Sequence, residues 1–240
     1  MITTNQRVLV FSAHAADFCS RAGGTITKFA ASGATVHVHD LTYGERCEST
    51  ALWAQDPKPT IDEVKKVRAD EIERSAEIVG ATADCFDWGD SPLEIGEDRK
   101  LRILEAIRAF RPDVILTHWR NDIMHPDHAV TAEAVIFGCS YCGSGGIITT
   151  SSSCRRPEMY MFEASVGTAP VSRFLPDTFV DISDVFDRKM KALEQLAAQP
   201  VLPGLYELTG RYRAMEANHT AGMSGCTHAE GFVKFGSVSG

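Results

Sequence analysis

The sequence predicts an α/β protein with a doubly wound, mostly parallel sheet, and three observations predict it. Strand-like and helix-like segments alternate from the first residues, opening with a β-α-β unit. The stretch "DVILTHW", Asp113–Trp119, is almost continuously apolar, the pattern of a strand covered on both faces. Histidines and carboxylates also gather just after two of the apolar strands, where an open parallel sheet places its ligands.

Each element has its own warrant. "RVLVFSA", Arg7–Ala13, reads as a buried strand, and Gly24–Ser32 as the helix that follows it, stopped by Gly33. "ATVHVHDLTYG", residues 34–44, alternates apolar and polar side chains with β-branched enrichment, which predicts the next strand. Thr60–Gly80 carries the strongest helix signature: apolar residues at 61, 64, 67, 72, 76 and 79, a Thr60 cap with Glu63 three positions on, and a terminal Gly. "ADCFDWGD", residues 83–90, is a short strand, and residues 97–113 form a helix ended by Pro112. After Asp113–Trp119 comes a helix over 129–138, with Pro126 just inside its start. Residues 143–157, rich in Gly and Ser, predict a surface loop. "EMYMFEA" (158–164) and "TFVDIS" (178–183) predict late strands, and 184–200 an amphipathic helix. The last thirty residues show too little periodicity to place.

Composition bounds the partners. The 240 residues are 44% hydrophobic, which suits one globular domain over 1–240, and a formal net charge of -8 disfavours nucleic acid and anionic membrane surfaces by repulsion. A short apolar strand follows "MITTNQ" directly, with no 18-residue apolar span anywhere, which predicts a cytoplasmic chain without a membrane partner. Seven cysteines, an odd number, predict reduced thiols, and the lone C-x-x-C of Cys139 and Cys142 reads as incidental.

The chemistry concentrates in two loops. The first holds His14 and Asp17, and the second, after the Asp113–Trp119 strand, holds His118, Asn121, Asp122, His125, Asp127 and His128. G-x-G-x-x-G and P-loop patterns are both absent, which disfavours a nucleotide. "HPDH" sets His125 and His128 three residues apart across a helix start, so their rings share one face. Two imidazoles and a carboxylate make a three-ligand set with an open position, as a catalytic zinc or other divalent cation needs.

"AH-x-x-D" after the first strand, "GG" opening the first helix and "HPDH" after the fourth strand together resemble the LmbE/PIG-L family of zinc-dependent proteins over residues 7–135, with a less certain part at 143–240. The resemblance implies a Rossmann-like, LmbE-like fold, a divalent metal held by His14, Asp17 and His128, His125 serving the reacting centre, and Asp127 orienting a histidine. Members are often homo-oligomers, so it implies one here. The family's first motif reads A-H-P-D-D, and its first Asp is the general base of the deacetylases. Here that position is Ala16, which cannot take a proton.

"TYGERCESTALW" (Thr42–Trp53), "AHAADF", "VKKVRADEIERSAEIVG" and "DWGDSPL" resemble a divergent branch of that family, the 4-oxalomesaconate hydratases of gallate and protocatechuate breakdown. That likeness implies a metal-dependent lyase adding water to the C=C of an unsaturated oxo-carboxylate. Glu45 and Glu48 would move protons, and Arg21, Arg46 and Arg120 would bind a small polycarboxylate. Ala164 and Ser165 stand where the branch suggests a further histidine. Two alternatives stay open: a zinc-dependent N-deacetylase with a displaced base, and a metal-binding homologue without turnover.

Overall fold

The computed structural model describes residues 1–236. Its elements are β1 (Arg7–Ser12), α1 (Asp17–Ala31), β2 (Thr35–Asp40), α2 (Thr50–Trp53), α3 (Ile61–Val79), β3 (Thr82–Cys85), α4 (Glu97–Phe110), β4 (Val114–His118) and α5 (Pro126–Tyr141), then β5 (Glu158–Phe162), β6 (Thr178–Asp181), α6 (Phe186–Leu193), α7 (Leu202–Thr220) and β7 (Ala229–Lys234). The sheet has seven strands in the order β3-β2-β1-β4-β5-β7-β6. The first five pair in parallel, with Val8 opposite both Val36 of β2 and Val114 of β4, and β7 runs antiparallel to β5 and β6.

Alternation along β1 decides which side chains go to which layer. Val8 and Val10 join Phe18, Ile26 and Phe29 of α1 on one face, while Leu9 and Phe11 join Ile103, Leu104 and Ile107 of α4 and Val135 of α5 on the other. Burying each large aliphatic or aromatic side chain stabilises by about 1.5–3 kcal/mol, so a strand covered on both faces is favoured with no polar alternation. Helices α1, α3 and α6 pack together on one face, and α4 against α5 on the other.

The expected elements recur with adjusted ends. The capping box of α3 is complete: Glu63 N donates to Thr60 Oγ1, Thr60 N donates to the Glu63 carboxylate, and Gly80 closes the helix at φ +82°. Helix α1 begins at Asp17 rather than at Gly24, because Ala15 and Ala16 are small enough to turn inside the core. Gly24 therefore lies mid-helix, where a methyl group would stand 2.7 Å from Ile182 Cγ2. Strand β3 ends at Cys85, and α5 continues to Tyr141, which buries Cys139 and Cys142.

The unplaced C-terminal region supplies most of α7 and all of β7. Glu230 interrupts the apolar pattern of β7, yet it is buried and satisfied. It accepts from Gly24 N at 2.9 Å, Thr25 N at 2.7 Å and Lys189 Nζ at 2.7 Å. Among the described residues no helix is long and apolar enough to cross a membrane.

Candidate metal centre and active site

From β1 the chain goes outward to β2 and then β3, and returns to β4 on the other side of β1. Such a reversal leaves a crevice beyond the carboxyl ends of the two middle strands. β1 delivers His14 and Asp17 there, and β4 delivers His118 and the loop to α5 with Asp122, His125, Asp127 and His128.

The arrangement grows from the turn after β1. Asp17 N donates to His14 O at 3.1 Å, and His14 N donates back to Asp17 Oδ2 at 2.9 Å, which fixes both side chains in register. His14 Nδ1 lies 3.2 Å from Asp17 Oδ2, and His128 Nε2 lies 3.6 Å from the same oxygen. Donor atoms about 2.0–2.2 Å from a tetrahedral zinc sit about 3.3–3.6 Å apart, so both separations from Asp17 Oδ2 suit a shared cation. His128 Nε2 is buried with no hydrogen-bond partner, the condition of a lone pair awaiting a ligand.

The other nitrogen of each ring is held. His128 Nδ1 faces Asp122 Oδ2 at 2.9 Å, and His14 Nε2 faces Asp127 Oδ2 at 3.2 Å. Asp127 in turn accepts from Ser91 N and Leu93 N, and Asp122 from Ser165 N and Oγ. Carboxylates behind both rings leave Nδ1 of His14 and Nε2 of His128 as the metal-facing atoms. His118 is different. Its Nε2 accepts from Ala13 N at 2.9 Å, so that lone pair is already used, although Asp17 is only 3.3 Å away.

Charge in the site is lopsided. Burial alone would depress His14, but the carboxylates of Glu48, Asp127 and Asp17 raise it well above the ordinary imidazole range. Burial, reinforced by His118, holds His128 well below that range, in the neutral form that a metal requires. Burial would raise Asp17, yet His128, Arg21 and His118 hold it well below the usual carboxylate range. Four carboxylates with one buried arginine thus make a centre that demands positive charge. The residues present fit a divalent cation.

Glu48 is the carboxylate that reaches this centre from the second-strand loop. Its Oε1 is 3.2 Å from His125 Nε2 and 3.7 Å from His14 Nδ1, and Gln199 Nε2 donates to its Oε2 at 3.1 Å. The rings of His125 and His128 stack at 4.0 Å. Gly44 makes room for this approach: at φ +65° it has no Cβ, which would stand 3.0 Å from Glu48 Cβ and 3.2 Å from His14 Cβ. Arg21 lies behind the ligands, 3.4 Å from Asp17 Oδ1, and donates to Tyr206 OH at 2.6 Å.

Three expected site residues are not brought to the histidines. Glu45 turns toward Lys65, 3.9 Å away, and its backbone carbonyl accepts from Trp53 Nε1 at 2.7 Å. Arg46 is exposed and anchored on Asp90, donating through its own N–H to the carboxylate and through Nη1 to the Asp90 carbonyl. Arg120 is exposed in a separate groove with Trp119, Met161, Leu175 and Val233. Conversely, Gln199 and Tyr206 come from segments with no local signal of a site, while Asp122 was visible in its loop but not its pairing with His128.

Fold and centre define the class: a doubly wound α/β protein with a cluster of metal-type histidine and carboxylate donors at its switch point. Residues 9–137 match the model of the PIG-L family, described as GlcNAc-PI de-N-acetylase, and the chain belongs to that family. It is 32% identical, over 96% of its length and 90% of the relative's, to 4-oxalmesaconate hydratase of Pseudomonas putida. The crystal structure of GalB, the 4-carboxy-2-hydroxymuconate hydratase of Pseudomonas putida KT2440, superposes with a TM-score of 0.90 at 31% identity, covering 98% of each chain. Diacetylchitobiose deacetylase of Thermococcus kodakarensis is 30% identical over 94% of this chain and 82% of its own.

Proposed function

We propose that this chain is a metal-dependent hydratase that adds water across the C=C of an unsaturated oxo-carboxylate such as 4-oxalomesaconate, in aromatic acid catabolism. One observation carries the reading: the carboxylate beside the cation site comes from Glu48, while position 16, where the family's deacetylases keep their base, is a buried alanine. Likeness to the two hydratases along nearly the whole chain supports it. Zinc is the cation we assign, held by His14, Asp17 and His128. When bound it supplies Lewis acidity toward the oxo-carboxylate.

The chain's own groups do the rest. Glu48 Oε1 takes the proton that the adding water loses, and His125, in contact with that oxygen, passes a proton to the carbon next to the oxo group. Asp127 holds His14, Asp122 holds His128, and the fixed charge of Arg21 offsets the carboxylates that a polycarboxylate substrate would otherwise meet. We assign the chain to the cytoplasm as a single domain with no nucleic-acid or membrane partner. Exposed Leu205, Leu208, Tyr212 and Met215 along α7 support assembly of like chains.

The test incubates zinc-loaded protein with unsaturated oxo-di- and tricarboxylates and follows loss of conjugated absorbance, with N-acetylated sugars alongside. Loss of absorbance that disappears in His128→Ala is the expected result. Acetate release from the sugars without hydration would replace this reading with deacetylation by a displaced base.

A further inference from the structure

A second cluster of metal-type donors lies away from the centre described above. Along β2, Val36 and Val38 enter the core, so His37 and His39 project together from the opposite face. β3 pairs beside it with His39 opposite Asp84 and His37 opposite Thr82. The Asp84 carboxylate consequently sits between both rings, with Oδ1 2.6 Å from His39 Nδ1 and Oδ2 3.3 Å from His37 Nε2. The face is only partly covered: side-chain exposure is 21% for His37, 12% for His39 and 54% for Asp84, which leaves solvent access to all three.

A partner on the far side of His37 orients its ring, as outer partners do for ligating histidines. Thr82 Oγ1 lies 2.7 Å from His37 Nδ1 and 3.4 Å from Val36 O, and so holds the His37 ring from its far side. With Nδ1 facing Thr82, Nε2 is the ring atom turned toward the Asp84 carboxylate. The Nε2 atom and the Asp84 oxygen are 3.3 Å apart, a separation that suits two ligands of one divalent cation. Phe86 and Phe11 flank the ring of His39 at 4.8 Å and 5.5 Å and limit its rotation.

We propose that His37 Nε2, His39 Nδ1 and Asp84 form a second divalent-metal site, clipping the edge strand β3 to β2 and independent of the catalytic centre. Its two imidazoles and one carboxylate suit zinc, nickel or copper rather than calcium or magnesium, with the remaining positions open to solvent. Burial lowers the His39 pKa from the ordinary imidazole value, against the pull of Asp84. Although burial works against it, hydrogen bonds from His37 and His39 keep Asp84 ionised. The adverse charge is Arg102, whose guanidinium lies over the Phe86 ring.

Zinc chloride is titrated into the full chain after EDTA treatment, against a chromogenic chelator. Wild type is expected to take up two equivalents, Asp17→Asn one, and the double variant His37→Gln, Asp84→Asn one. Thr82→Val should weaken the edge site about tenfold by freeing the His37 ring, and Arg102→Ala should tighten it. In Asp17→Asn, zinc should raise Tm, and that rise should vanish when His37→Gln and Asp84→Asn are added. If His37→Gln, Asp84→Asn keeps the stoichiometry and affinity of wild type, or if zinc leaves the Tm of Asp17→Asn unchanged, the edge site is refuted. Because the Asp17→Asn background isolates the edge site, loss of the central-site reading would not be mistaken for loss of this one.

Discussion

Replacing Asp122 by Asn separates metal binding from the metal's own ligands. Asp122 Oδ2 is 2.9 Å from His128 Nδ1 and accepts from Ser165 N at 2.8 Å and Ser165 Oγ at 2.9 Å. An asparagine oxygen can still accept from these donors, so geometry survives, but the negative charge that strengthens the ring as a donor is gone. Loss of such a partner behind a ligating histidine costs about 10–100-fold in metal affinity, equivalent to about 1.4–2.8 kcal/mol. Zinc competition with a chelator measures this directly, at a pH where His128 is neutral in both proteins. Ser165→Ala is the control: it removes one neutral hydroxyl donor and should shift affinity by much less. Undiminished zinc affinity in Asp122→Asn would show that His128 is not a ligand held through Nδ1, and the proposed donor set would fail.

Three further outcomes follow from the same geometry. Glu48→Gln should lower kcat for hydration by about 10²–10⁴-fold while metal content, measured by elemental analysis, stays at the wild-type level; retained turnover would remove Glu48 from the reaction. Gly24→Ala places a methyl group 2.7 Å from Ile182 Cγ2 and should destabilise by about 1–3 kcal/mol, lowering Tm by several degrees; Ile182→Val should recover part of it. Asp40 is buried, and burial, reinforced by the charge of Asp17, raises its pKa well above the ordinary carboxyl value despite Arg68 and Ser12. The folded chain therefore keeps a proton that the unfolded chain releases, so stability falls as pH rises from the unfolded pKa toward the raised folded one. Asp40→Asn should flatten that dependence in denaturant melts at pH 4 to 7, and an unchanged slope would contradict a protonated Asp40.

The first five strands were legible because each is buried on both faces or alternates cleanly, and α3 because its two ends carry complete caps. The metal loops were legible because ligand types recur after β1 and β4. What escaped depends on contacts distant in sequence. β7 hides its strand pattern behind Glu230, a charge that belongs in the core only because α1 and Lys189 receive it. α7 leaves Leu208, Tyr212 and Met215 exposed and contains Gly204 and Gly210, which blurs its periodicity. In "GERCES" three charged residues lie within four positions, and nothing local says that Glu48 faces the histidines while Glu45 faces Lys65. Trp53 and Asp90 bind this stretch from outside the hexapeptide.

The placement of β7 also has a consequence for how the chain is made. It lies between β5 and β6, although it comes after both in sequence, and its Glu230 is the receptor for Lys189 and for the middle of α1. During synthesis β6 emerges with no strand to pair with, and the parallel half can assemble around β1 long before the far half. Until residues 229–234 leave the ribosome, Lys189 and the α1 amides lack their acceptor. Sheet closure is thus a late, long-range event, and a nascent chain stalled short of β7 would present an open edge to its neighbours.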